Sequence, residues 1–119
     1  MTGEMRCVLL VEDDFLVALA TRDLLESAGY KIAGPAATLD RALRLVQSER
    51  LDAAVLDIDI GTQSIWPVAE ALLGCKVPFV LLSAFANPSA IPGKFAAVLR
   101  LHKPLESERL LGYLRSLWR

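Results

Sequence analysis

Ala54-Val55-Leu56-Asp57-Ile58-Asp59-Ile60 is the stretch that decides the fold. Apolar residues run straight into a carboxylate, with no polar residue alternating among them. A strand buried on both faces has this pattern, and such strands belong to parallel sheets covered by helices. In an open α/β sheet, ligands bind beyond the carboxyl ends of the strands. Asp57 therefore stands where a fold of this kind does its chemistry. The rest of the chain is read for what arrives beside it.

Upstream, Arg6-Cys7-Val8-Leu9-Leu10-Val11 reads as a first strand ending in Glu12-Asp13-Asp14. A helix follows from Phe15 to Ala28. Leu16, Leu19, Leu24 and Leu25 form its apolar stripe, Asp14 suits its N-terminus and Gly29 its stop. Lys31-Ile32-Ala33-Gly34 is a short strand closed by Pro35. Thr38 is placed to cap a helix from Leu39 to Arg50, with Ala42, Leu45 and Val46 inward. The strand that carries Asp57 spans Ala53 to Ile58, and Gly61-Thr62-Gln63-Ser64 reads as loop. Downstream come a short helix from Pro67 to Leu73 ended by Gly74, a fourth strand from Val77 to Ser83, a fifth from Ala97 to Leu101 and a last helix from Glu106 to Trp118. Pro88, Pro92 and Gly93 leave room for no more than a turn or two between Asn87 and Lys94. This alternation predicts a doubly wound, five-stranded parallel sheet with helices on both faces and a short or irregular fourth helix.

At 119 residues the chain suits one domain, 1–119. Hydrophobic residues make up 54%, as a sheet covered on both sides requires. No apolar run approaches the ~20 residues of a membrane span. The opening Met1-Thr2-Gly3-Glu4-Met5-Arg6 lacks the order of a signal peptide, so a cytoplasmic protein is expected. A net charge of −1 gives no basic excess for direct nucleic-acid binding. Cys7 and Cys75 read as free thiols rather than a disulfide, and one histidine with no close cysteine pair leaves no zinc spacing.

Polar groups stand at four strand ends: Glu12 and Asp13, then Asp57, Ser83 and Lys103. In a parallel sheet with adjacent strands these converge on one edge. Three carboxylates so close repel unless a cation joins them. An oxygen-only site of this kind suits Mg²⁺. The groups together describe a pocket for a phosphoryl group. One carboxylate acts as nucleophile, Mg²⁺ and Lys103 neutralise charge on the transferring group, and Ser83 holds one of its oxygens.

The set Val11-Glu12-Asp13-Asp14, Val55-Leu56-Asp57, Leu82-Ser83-Ala84 and Lys103-Pro104 resembles the CheY-like receiver domain of two-component response regulators, from about Arg6 to Trp118. The resemblance implies a flavodoxin-like sheet of strand order 2-1-3-4-5. It makes Asp57 the phosphoacceptor, Asp13 a direct metal ligand, Glu12 a second acid acting through water, and Asp59 the residue whose backbone carbonyl binds the metal. Ser83 becomes the hydroxyl switch residue and Lys103 the lysine of the site. It implies a cis Lys103-Pro104 bond, Mg²⁺ as cofactor, and a histidine kinase or histidine phosphotransfer protein as partner. Such a domain catalyses its own phosphorylation and dephosphorylation without being a turnover enzyme.

Three features depart from the family pattern. Arg100 occupies a position that is usually aromatic in the switch. Asp59 carries a carboxylate where the residue is often neutral, which predicts tighter Mg²⁺ binding and slower phosphorylation. Leu81-Leu82-Ser83 with Ala84-Phe85 is similar to a variant of the Phe-Ala-Thr-Gly-Tyr signature of stand-alone receivers, which tend to lack an output domain.

Two other functions are weighed beside this one. A pseudo-receiver would bind partners without phosphorylation. A haloacid-dehalogenase-like phosphatase is faintly suggested by Asp57-x-Asp59 with Gly61-Thr62. Its nucleophile, however, belongs on the first strand, and Thr62 comes one position late. His102 reads as a solvent or edge residue. Trp66, Tyr113 and Trp118 read as packing residues rather than a ligand cage; Tyr113 and Trp118, with Phe95, would as an exposed patch suit a partner or the mate of a weak homodimer.

Overall fold

Every residue of β1 (Cys7–Val11), β3 (Ala53–Asp57) and β6 (Phe79–Ser83) is buried. These are the three inner strands of a sheet ordered β2-β1-β3-β6-β7, with β2 spanning Lys31–Ala36 and β7 Arg100–His102. All four pairings are parallel. A short antiparallel hairpin, β4 (Asp59–Ile60) and β5 (Gln63–Ser64), follows β3 and stands apart from the sheet. With its two strands set aside, the order along the chain is 2-1-3-4-5. The computed structural model describes residues 5–84 and 91–118. Phe85 and the first half of the proline-bearing stretch from Asn87 to Lys94 lie outside the described residues, as do Met1 to Glu4 and Arg119.

Four helices cover the sheet among the described residues: α1 (Phe15–Ser27), α2 (Leu39–Ser48), α3 (Trp66–Gly74) and α4 (Ser107–Ser116). Alternation along the strands sorts the core into two clusters. Leu9, Val11, Leu56 and Leu81 pack with Ala42, Leu45, Val68 and Leu72 of α2 and α3. Val8, Leu10, Val55 and Val80 pack with Leu25 of α1 and Leu110 and Leu114 of α4. The unbroken apolar runs of the sequence are the two faces interleaved.

Local chemistry sets the helix ends. Asp14 Oδ1 accepts from the N–H groups of Leu16 and Val17 at 3.0 and 3.1 Å, capping α1. Thr38 Oγ1 accepts from Arg41 N–H at 3.1 Å, capping α2. Gly29, at φ +97°, follows the last turn of α1.

Several expectations are corrected. Leu16 does not belong to the stripe of α1: it is 75% exposed, beside Phe15 at 72%, and the helix buries Ala18, Thr21 and Leu25 instead. The second strand does not stop at Pro35 but runs to Ala36. Gly34 makes this possible at φ +101°, in a bulge where a Cβ would meet Leu10 O at 2.8 Å. The fifth sheet strand is shorter than expected, Arg100–His102, because Ala96 and Val98 turn back on the 3₁₀ segment Gly93–Phe95. Residues 61–64 are not loop throughout: Gln63 and Ser64 pair with Ile60 and Asp59. Phe95 is no part of an exposed patch. It is 2% exposed, stacked on Trp66 with ring centroids 5.4 Å apart. Cys7 and Cys75 are both free, as expected.

Candidate functional site

The carboxyl edge of the sheet gathers the groups that the sequence placed at strand ends. β1 ends at Val11, which pairs in register with Leu56, so Glu12 and Asp57 leave adjacent strands side by side. β6 delivers Ser83, buried, at the same edge, and Ser83 O accepts from Lys103 N–H at 2.9 Å. One oxygen each of Glu12, Asp13 and Asp57 lies within 4.8 Å of the others. Among the described residues, no other group of three or more possible metal-binding side chains is so close.

Lys103 joins two of the acids. Its Nζ lies 3.0 Å from Asp57 Oδ2 and 2.9 Å from Glu12 Oε1. The Lys103–Pro104 peptide beyond it is cis. Glu12 and Asp57 are 1% and 5% exposed, so their charges are costly without partners. The ammonium answers part of that cost. Its hydrogen bond to Glu12 runs to Oε2 at 3.0 Å, and Oε1, though near, lies off the bonding direction. Glu12 Oε1 is thus a buried carboxylate oxygen with no hydrogen-bond donor among the described residues. A free lone pair beside two more carboxylates suits a hard divalent cation or a water bound to one.

Burial, with Glu12 beside it, pushes the Asp57 carboxyl up to about 7, against the pull of Lys103. For Lys103, burial pulls the pKa down, but Glu12 and Asp57 outweigh it and hold the ammonium above its ordinary value. The pocket therefore keeps its lysine charged and favours a proton on Asp57 that a cation would displace.

Asp13 is exposed, and its Oδ2 accepts from the N–H of Gly61 at 2.7 Å. Asp57 Oδ1 accepts from the N–H of Asp59 at 3.3 Å. Asp59 itself is exposed, and its carboxylate stands outside the group of three acids. Arg100 is half-buried in β7, opposite Leu81, and His102 is exposed as expected. Sequence reading missed Gly61. Its signal was a glycine opening a two-residue turn, Gly61-Thr62, between short runs that can pair. The positive φ at Gly61 and not at Thr62 is the pattern of a II′ hairpin.

A family model described as the response regulator receiver domain matches residues 8–115. Among solved structures, the chain is similar to the solution structure of SdrG from Sphingomonas melonis Fr1, with 30% identity, a TM-score of 0.81 and 100% of each chain covered. It is also similar to a putative response regulator from Chloroflexus aurantiacus J-10-fl, 26% identical at a TM-score of 0.82, with 96% of this chain and 98% of that one covered. A CheY-like receiver domain protein from Methanospirillum hungatei JF-1 shares the fold at 22% identity and a TM-score of 0.82, over 95% and 93% of the two chains. No curated protein matches the chain in sequence. With the receiver match running through nearly all of the sheet and its helices, the chain belongs to the family of response regulator receiver domains.

Proposed function

We propose that the domain takes a phosphoryl group from a phosphohistidine onto Asp57 and passes on the signal through protein contacts. An Asp57 oxygen attacks phosphorus, an acyl phosphate forms, the P–N bond to the donor imidazole breaks, and the imidazole leaves with its electron pair and takes up a proton. The observation that carries this reading is the contact of Lys103 Nζ with Asp57 Oδ2 at 3.0 Å, with two more acids beside it. Lys103 neutralises negative charge as the phosphoryl group arrives. Ser83, buried at the end of β6, is the hydroxyl that holds a transferred oxygen.

Mg²⁺ is the cation these residues suit; bound, it would screen the phosphoryl oxygens from the carboxylates. Asp13 and Asp57 would hold it directly, Glu12 through water, and Asp59 by its backbone carbonyl. A histidine kinase or a histidine phosphotransfer protein is the donor class. Residues 1–119 as a single receiver domain is part of this reading. It is supported by the likeness to SdrG over the whole of both compared chains. No helix among the described residues is long and apolar enough to cross a membrane, and a cytoplasmic place fits the proposed donors.

Intact-mass measurement after incubation with acetyl phosphate and Mg²⁺ tests the proposal. One phosphoryl adduct is expected, absent without Mg²⁺ and absent in Asp57→Asn. A label that survives in Asp57→Asn, or no label at all, would end it. Arg100, standing where the family pattern has an aromatic residue, favours a second reading in which partners bind without phosphorylation. Partner binding indifferent to beryllofluoride would select that one.

A further inference from the structure

The β4–β5 hairpin holds two of the three site carboxylates through backbone donors, Gly61 N–H to Asp13 and Asp59 N–H to Asp57. The two acids depend on it unequally. Asp57 is buried and also bound by Lys103, whereas Asp13 is exposed. Left alone, an exposed aspartate samples several rotamers, and ordering it costs free energy. A 2.7 Å bond from an N–H to a carboxylate belongs to the short, charge-assisted class.

That donor is available because of the backbone at Gly61, which sits at φ +61°. Glycine adopts such a conformation freely and β-branched residues do not. The turn is held at its base as well. Asp59 pairs with Ser64 and Ile60 with Gln63. Ile65 N–H donates to Ile58 O at 3.0 Å, and Ile60 and Ile65 are buried in the core. The core therefore fixes where the tip lies, and the tip fixes one oxygen of Asp13.

We propose that Gly61 is a positioning residue for the cation: its left-handed turn aims an N–H that holds the Asp13 carboxylate ready beside Glu12 and Asp57. This rests on the reading that these acids hold Mg²⁺. A ligand set ordered in advance binds more tightly, because less freedom is lost on binding.

Two substitutions separate backbone conformation from bulk. No atom lies within 4 Å of where a Cβ at position 61 would be, so a side chain there meets nothing. At this first central position of a II′ turn any side chain is strained, a β-branched valine more than an asparagine. Mg²⁺ is titrated into the full chain and followed through Trp66, which lies just beyond the hairpin, in a Trp118→Phe background. Gly61→Val should weaken Mg²⁺ binding roughly tenfold. Gly61→Asn should weaken it less than Gly61→Val does. In the metal-free parent, the Gly61 amide should resist hydrogen exchange although the residue is exposed.

Valine and asparagine variants that bind alike would overturn the proposal. So would a Gly61 amide that exchanges freely, a result that needs no variant and stands even if the valine form fails to fold. A parent that binds no Mg²⁺ would overturn the functional reading and this inference together. Binding in the parent with both variants indifferent would overturn the inference alone.

Discussion

Lys103 Nζ reaches Oδ2 of Asp57 at 3.0 Å, although β6 lies between β3 and β7 in the sheet. The lysine spans a whole strand to meet the acid and also reaches Glu12, which follows β1 on the far side of β3. Its side chain is 18% exposed, against 0% for Glu12 and 7% for Asp57, so the acids are the deeper partners. Removing the amine leaves buried carboxylates facing each other. At about pH 7.5 without Mg²⁺, Lys103→Met should cost roughly 3 kcal/mol in urea unfolding. At about pH 5 the loss should shrink, because the pair can take up a proton. Equal losses at both pH values would contradict the arrangement.

Asp57 makes its own prediction about pH. Its carboxyl is raised from 3.8 to about 7, first by burial and then by Glu12. Between those values the folded protein keeps a proton that the unfolded chain has released. Stability from this group is therefore fully present below about pH 4 and is lost as pH rises through about 7. Asp57→Asn has no such titration. In metal-free solution, the Tm of Asp57→Asn minus that of the parent should grow from about pH 5 to about pH 7.5. Saturating Mg²⁺ should bring the parent back up. A difference that stays flat with pH would count against the raised carboxyl.

Asp59 adds a carboxylate near the site without joining its inner group. At that remove the effect is one of field rather than ligation, and solvent screens it. Asp59→Asn should weaken Mg²⁺ binding by about twofold to threefold and speed labelling by acetyl phosphate. Its N–H, which holds Asp57 Oδ1, is untouched by the change. Slower labelling would mean that the carboxylate assists the transfer.

What the sequence disclosed follows from what is local or topological. Asp57, Asp13, Glu12, Ser83 and Lys103 were legible because parallel strands must end at one edge, and each of these residues ends a strand or follows one. Asp14 and Thr38 were legible as caps because a capping side chain acts on the next two or three residues. The hairpin was only faintly legible: Gly61-Thr62 is a turn signal, but Gln63 and Ser64 have little strand character of their own. One of its bonds joins positions 48 apart, Asp13 and Gly61. Phe95 was hidden for a similar reason. It follows Pro92-Gly93-Lys94, which reads as surface loop, and its burial depends on Trp66 and Phe79 arriving from elsewhere.

Helix α1 shows the same limit and gives a direct test of it. Leucines at 16, 19, 24 and 25 all fit a helical stripe, and periodicity has no means of telling which of them the sheet reaches. The sheet begins to cover α1 only past its first turn, so Leu25 is fully buried while Leu16 is 75% exposed beside Phe15. Leu25 packs with Val8, Leu10 and Val55, and truncating it leaves a cavity. Leu25→Ala should cost about 2–5 kcal/mol in equilibrium unfolding. Leu16→Ala removes mostly exposed surface, and alanine favours a helix slightly, so its stability should change by less than about 0.5 kcal/mol. If the two substitutions proved equally costly, Leu16 would be part of the core after all, and α1 would lie on the sheet along its whole length.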